Sequence, residues 1–469
     1  MNSLRGMRLL RCSAGCTLAV ALAACAVGPD YRRPQIATAP DFKEANGWKP
    51  TEPADVLDHG PWWAIFADST LDALEAKITV SNQNVQAAAA AVDQARALVR
   101  ESRAAFWPTI GVSAGRNRGS TDGSPTVNTD VVAASGTWTL DLWGQTRRNV
   151  ESQRANLQSS EAALALTRLT AQSDLATDYF QLRAQDQLQR LLDDTVTAQQ
   201  RSLKITQSRY HYGVAAKADV VSAEAQLLQS QAQQVNAAIQ RGILEHAIAV
   251  LTGDAPSTFS LEKASMRPDV PTVPAGVPST LLERRPDVAE AERKVAAANA
   301  GIGVAKAAFF PSLTLSGSDQ YAARTLGKLF EVPNRIWSVG PELAETLIDG
   351  GLRRAEVAAA RALYDQSVAN YRQTVLTGLQ QVEDQLVTLR VLETQAVIEE
   401  AAVRAAQEAE ALTLNQYKAG TVPYSSVITA QTTTLSAEQT ALTVLSDRLQ
   451  ASVGLIEALG GGWSAAGLR

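Results

Sequence analysis

The stretches AAFWPTIGVSAG (residues 104–115) and AAFFPSLTLSG (residues 307–317) state one pattern twice: small residues, two aromatics, a proline, then apolar residues alternating with small polar ones. In the first, Ile110, Val112 and Ala114 alternate with Thr109, Gly111 and Ser113. In the second, Leu313 and Leu315 alternate with Ser312, Thr314 and Ser316. A further segment of the same period follows each: Trp138, Leu140 and Leu142 against Thr137, Thr139 and Asp141, then Trp337, Val339 and Leu343 against Ser338, Gly340 and Glu342. A two-residue period sends successive side chains to opposite faces of a strand, so the spacing predicts four short strands in two hairpins.

The repetition extends well beyond these phrases. LDLWGQTRRNVESQRA from Leu140 answers LIDGGLRRAEVAAARA from Leu347, and SRYHYGVAAKADVVSAEAQ from Ser208 answers NQYKAGTVPYSSVITAQ from Asn415. Correspondences in one order at a nearly constant offset mark an internal duplication. The Pro-rich stretch RPDVPTVPAGVP between the copies reads as a linker. The expected organisation is a signal peptide (1–24), an N-terminal segment (25–68), a first repeat (69–254), the linker (255–278), a second repeat (279–462) and a short tail (463–469).

Each copy also contains a very long helix. From Thr146 to Tyr212 there is neither glycine nor proline, and from Leu352 to Ala419 only Gly378 interrupts a run of strong helix formers. At ~1.5 Å per residue each such helix reaches roughly 100 Å. Val375, Leu379, Val382, Leu386 and Leu389 keep the alternating spacing of a coiled-coil seam, and Leu175, Tyr179 and Leu182 match it in the first copy. Gly213 and Gly420 stand where these helices must stop, because glycine accepts the left-handed backbone that closes a helix. Each copy therefore makes one long helical hairpin. Taken alone, the helices fit a structural rod as well as any functional reading.

Only 5% of residues are aromatic, yet Trp107, Trp138, Trp143 and Trp337, with Phe106, Phe309 and Phe310, cluster at the alternating segments. Aromatics at strand ends suit the two interfaces of a membrane barrel; two hairpins of a soluble sheet would show the same alternation. Long polar helices are poor cover for such a sheet. In lipid, however, every backbone donor and acceptor needs a partner, and four strands leave two open edges. Bacterial barrels begin at about eight strands, so several copies of the chain would have to close one together.

The first residues, MNSLRGMRLLRCSAGCTLAVALAAC, place three arginines before a short apolar run, the form of a secretory signal peptide. Cys25 directly follows Leu22-Ala23-Ala24, a run resembling the lipobox of bacterial lipoproteins, which makes Cys25 the expected site of lipid attachment and Ala26 compatible with outer-membrane sorting. Cleavage there would remove Cys12 and Cys16, leave no disulfide and take the formal charge from −5 to −8. No cluster of basic and aromatic residues points to nucleic acid.

Catalysis finds little support. His59, His211 and His246 are the three histidines, none in a zinc-binding pair, and no phosphate-binding loop is present. GVSAG from Gly111 has the letters of a nucleophile elbow but continues in strand period instead of opening a helix. GIGVAK from Gly301 lacks the third glycine of a dinucleotide fingerprint. No enzyme activity and no cofactor are expected.

CAVGPDYRRP from Cys25, WWAIFADSTLDALE from Trp62, LLERRPDVAEAE from Leu281, AAFFPSLTLSG and LIDGGLRR together resemble the outer-membrane efflux proteins, the TolC-like, NodT-type tunnel lipoproteins of tripartite RND-type exporters. The resemblance covers nearly the whole chain after the signal peptide. It implies a mainly α fold in which three copies form a homotrimer, with a twelve-stranded outer-membrane barrel continued by a helical periplasmic tunnel. It implies a passive duct, lipid-anchored in the outer membrane, that receives solutes from an inner-membrane pump through a periplasmic adaptor. On it, Thr139, Asp141, Thr314, Ser316 and Glu342 face the aqueous path; Arg209, Gly213 and Gly420 belong to the tips that dock the adaptor; Asp219 and Tyr417 belong to the periplasmic gate. Where relatives often carry acids after the second tip, this chain reads VPYSSVITAQ, so a cation-binding ring there is not expected. The alternative is a lipid-anchored periplasmic scaffold or adaptor without a pore.

Overall fold

The computed structural model describes residues 26–36, 41–44, 61–120, 125–266, 269–273 and 284–465. The expected signal peptide and Cys25 lie outside these residues. The elements run α1 (Ser69–Ser81), α2 (Gln83–Ala104), β1 (Thr109–Gly119), β2 (Val127–Leu140), α3 (Gln145–His211), α4 (Lys217–Thr252), α5 (Pro286–Ala307), β3 (Ser312–Ala323), β4 (Arg335–Ala344), α6 (Leu352–Ala419) and α7 (Tyr424–Ala458). In space the chain forms two compact units. Of the described residues, those within 26–36, 91–161 and 290–373 build one, and those within 37–90, 162–289 and 374–469 build the other. Both sequence repeats contribute to each unit, so the duplication is not a boundary in space.

The first unit holds the only sheet among the described residues, antiparallel in the order β1-β2-β3-β4. The two expected hairpins are joined through β2 and β3, where Thr139 lies opposite Thr314 and Trp138 opposite Leu315. Opposed residues share a face, so the register sorts the side chains. Thr109, Ser113, Thr137, Thr139, Thr314, Ser316 and Glu342 stand on one face; Ile110, Val112, Trp138, Leu140, Leu313, Leu315, Trp337, Val339 and Leu343 stand on the other. Asp141 departs from the expectation. The chain leaves β2 at Leu140, and the Asp141 carboxylate accepts from the Thr146 and Arg147 amides at 3.0 Å each and from Arg147 Nε at 3.1 Å. It satisfies free donors at the start of α3, the work of a helix cap. Asp349 does the same for α6 through the Gly351 amide and Arg353.

Residues after Ala26 are strapped across this unit. The Val27 amide donates to Trp143 O at 3.0 Å, Arg148 reaches Val27 O and Asp30, and Asn299 Nδ2 donates to Pro29 O at 2.9 Å. Gly28, at φ 109°, crosses Gly303 of α5 so closely that a β-carbon on Gly28 would lie 2.5 Å from Gly303 Cα. Gly303 of GIGVAK thus forms a packing notch.

The second unit carries the larger core, in which Leu71, Ile78, Leu175, Tyr179, Leu182, Val382, Leu386 and Leu455 are buried. The seams foreseen on α3 and α6 therefore pack within the chain. Asn82, buried between α1 and α2, accepts from the Asn84 and Val85 amides and donates to Leu251 O. The described start of the linker, residues 255–266, is held against the helices: Asp186, almost fully buried, accepts from Arg183 at 2.9 Å, from Arg241 at 2.7 Å and from the Ala264 amide at 3.2 Å. Phe259, Leu261 and Met266 pack on the core beside it.

Candidate functional site

Two regions carry the chemistry, the sheet in the first unit and the hairpin tips in the second. The sheet has one polar and one apolar face because its strands keep strict period two. Thr139 and Thr314 hydroxyls meet at 3.2 Å and those of Ser318 and Ser338 at 2.9 Å, a polar ladder with Ser316 and Glu342 on the same face. On the opposite face Ile110, Val112, Trp337, Val339 and Leu343 are exposed. Among the described residues, nothing covers this exposed apolar face or the exposed polar one behind it. Each outer strand, β1 with 11 residues and β4 with 10, also has only one neighbour among the described residues. Unpaired backbone along both margins is a template for further strands.

Aromatics fix the end of the sheet nearest the helices. Trp138 Nε1 donates to Phe106 O at 2.9 Å, Trp143 Nε1 donates to Pro311 O at 2.7 Å, and the Trp143 ring stacks on Phe310 at 4.8 Å. Rings with one apolar flank and one satisfied polar atom suit a boundary between hydrocarbon and water.

At the tips, Gly213 (φ 71°) and Gly420 (φ 82°) close α3 and α6 as the spacing predicts. Arg209 O accepts from the Val214 and Ala215 amides, completing the first turn. The Arg209 side chain ties the two tips together: Nη1 donates to Lys418 O at 2.7 Å and the guanidinium lies 4.8 Å over the Tyr417 ring. Tyr417 is buried, edge-on to Tyr424 at 5.1 Å, with its hydroxyl donating to Thr206 Oγ1 at 3.4 Å. Burial pushes the Tyr424 phenol up to about 12, with Tyr417 and the Asp219 charge adding to the effect. Asp219 sits half-buried in the first turn of α4 and makes no hydrogen bond with Tyr417.

The structure thus brings Arg209, Tyr417 and Gly420 together and leaves Gly213 open to solvent. Sequence reasoning missed Tyr424, the second ring of this cluster, and Tyr212 and Val214, which with Tyr210 are exposed around Gly213. The signal was present in RYHYGV, where three apolar or aromatic side chains surround a helix-closing glycine. Among the described residues no group of histidine, cysteine and carboxylate side chains is arranged to hold a metal.

The chain matches the profile of the family described as outer membrane efflux protein over residues 76–254 and 277–461. It is 30% identical over 459 residues to the solvent efflux pump outer membrane protein SrpC of Pseudomonas putida, covering 94% of this chain and 96% of that one. It is 29% identical over 455 residues to the probable efflux pump outer membrane protein TtgC of Pseudomonas putida KT2440, covering 94% and 93%. Among solved structures it superposes on the outer-membrane channel OprN with a TM-score of 0.86 at 29% identity, covering 94% of this chain and all of that one. A two-faced sheet with open margins, long helical hairpins and these relatives lead to one conclusion: the chain belongs to the outer membrane efflux protein family and is an outer-membrane exit channel, a passive conduit with no catalytic role.

Proposed function

We propose that three copies of this chain close a twelve-stranded barrel in the outer membrane and that their helical hairpins continue it as a tunnel through the periplasm. The observation that carries the reading is the four-stranded sheet with two unpaired margins and one exposed apolar face. Hydrocarbon does not tolerate unpaired backbone, so each β1 must find a neighbouring β4. From Leu343 to Trp337 the apolar face of β4 extends roughly 20 Å at strand rise, most of the height of a bacterial barrel's apolar band, with the charged Arg335 just beyond it. The helices support the same assembly. Val221, Leu228 and Val235 of α4 are exposed at seven-residue intervals, as are Val391 and Ile398 of α6, a spacing suited to seams between copies.

In this assembly Thr139, Thr314, Ser316 and Glu342 line the aqueous path, and Cys25 carries the lipid that retains the chain at the outer membrane. The tips, with Tyr210, Tyr212 and Val214 exposed beside Gly213, meet a periplasmic adaptor, which couples the duct to an inner-membrane pump. Asp219 closes the gate at the first tip. Analytical ultracentrifugation of the detergent-solubilised protein tests the assembly: a mass of three chains is expected, and a stable monomer refutes it. Planar-bilayer conductance tests the gate: Asp219→Ala raises closed-state conductance, and an unchanged trace removes Asp219 from the role.

A further inference from the structure

The apolar face of the sheet is not evenly covered by side chains. Of the strand residues on this face, Gly136 and Gly317 alone lack one, and they lie directly opposite each other at the centre of β2 and β3. Neither is at positive φ. A β-carbon on Gly136 would meet Thr109 O at 3.7 Å and Ile110 Cγ1 at 3.8 Å, and one on Gly317 would meet Ser338 O and Val339 Cγ2 at 3.8 Å, all ordinary contacts. Neither backbone geometry nor crowding therefore requires glycine, although glycine weakens a strand interior. What the pair does is leave a groove of about 540 Å³. Ile110 and Val339 flank its floor, Trp138 and Leu315 close the end nearest the helices, and Trp337 and Arg335 stand at the other end.

The two ends differ in chemistry, and this orients an occupant. Beyond Trp138 lies a row of leucines, Leu140, Leu313 and Leu343. Beyond Trp337 lie charges: Arg335 makes two bonds to Asp319, at 2.9 and 2.8 Å, and Arg116 pairs with Asp130 one step farther. Arg335 is half exposed, and a guanidinium has five N–H donors, so donors beyond the two committed to Asp319 remain for an acceptor at the rim. The groove is shallow and open along the sheet, with a mostly apolar lining and a polar group at one end, a form suited to an extended chain lying on the surface rather than to an enclosed small molecule.

Resting on the reading of this sheet as a membrane barrel, we infer that the groove binds one acyl chain of an anionic, phosphate-bearing lipid of the outer leaflet, with the phosphate on Arg335. The tail lies over Gly136 and Gly317 and ends against Trp138. The groove is lined by the four strands of one chain and does not need the margins where copies meet.

The test is native mass spectrometry of the full protein after reconstitution in discs of equal phosphatidylglycerol and phosphatidylcholine with identical acyl chains. Planar-bilayer conductance of each variant is measured in parallel. The wild type retains phosphatidylglycerol over phosphatidylcholine by about twofold or more, below the roughly fivefold effect of a free basic group at a lipid surface because Asp319 shares the Arg335 charge. Arg335→Gln brings that ratio to about one while total retained lipid is kept. Gly136→Leu fills the groove and loses both lipids; Gly317→Val, a substitution that strands favour, does the same should the leucine variant not assemble. Groove-filled variants that conduct and still retain lipid like the wild type overturn the inference alone. A wild type that conducts without preferring phosphatidylglycerol also overturns it, whereas a wild type that never conducts overturns the barrel reading and this inference with it.

Discussion

Glu75 of α1 offers the sharpest test of the packing. It is fully buried, and neither carboxylate oxygen has a hydrogen-bond partner. Burial first, and the nearby Asp72 charge second, push its carboxyl up from 4.5 to about 9. The folded protein therefore keeps this proton at neutral pH, while the unfolded chain releases it above its ordinary pKa. Stability is greatest below the unfolded value, falls as pH rises, and stops falling once the folded group also ionises near the upper value. Each pH unit within that window costs about 1.4 kcal/mol. Between about pH 5 and about pH 8 the wild type should lose about 4 kcal/mol that a neutral isostere does not lose. Glu75→Gln removes the titration while keeping size and polarity. Urea unfolding of the detergent-solubilised protein, followed by helical circular dichroism, should show the two proteins converging at acid pH and the variant ahead at alkaline pH. Parallel loss of stability in both across that range would show that Glu75 is not the desolvated group described here.

Other consequences are equally specific. Asp186→Ala leaves Arg183 and Arg241 without their shared carboxylate and should cost about 3–5 kcal/mol in unfolding free energy, with proteolysis in the linker the first visible sign. Gly303→Ala places a β-carbon 2.7 Å from Arg148 Cγ and 3.0 Å from Val27 O, so the N-terminal strap should be displaced at a cost of about 1–3 kcal/mol and become sensitive to limited proteolysis before Arg33. Arg209→Ala removes both the bond to Lys418 O and the stacking on Tyr417, about 2 kcal/mol together, and hydrogen exchange near residues 414–424 should quicken while that of the buried seam near Leu386 stays as it is.

The elements of this protein were legible because each depends on a short-range rule. Period two wrote the four strands, the absence of glycine and proline wrote α3 and α6, and Gly213 and Gly420 wrote their ends. Even the two faces of the sheet followed, since alternation alone separates Thr139 from Trp138. Duplication and the open margins of a four-stranded sheet argue for assembly from the sequence alone.

Tertiary structure decided which residues meet, and spacing along the chain carries no such information across two hundred positions. Asp141 keeps the period of β2 but becomes a cap, because the chain turns into α3 just before it and free amides lie within reach. Tyr417 matched a gate position, yet it is buried under Arg209 and beside Tyr424, because the two tips pack on each other. The start of the linker, a separator by composition, is clamped at Ala264 by Asp186 because two arginines from different helices converge there. Glu75 reads as an ordinary polar helix residue until the packing of α1 removes its water. Local chemistry fixed what each segment became; the closing of the fold fixed which groups lost solvent and which partners they gained.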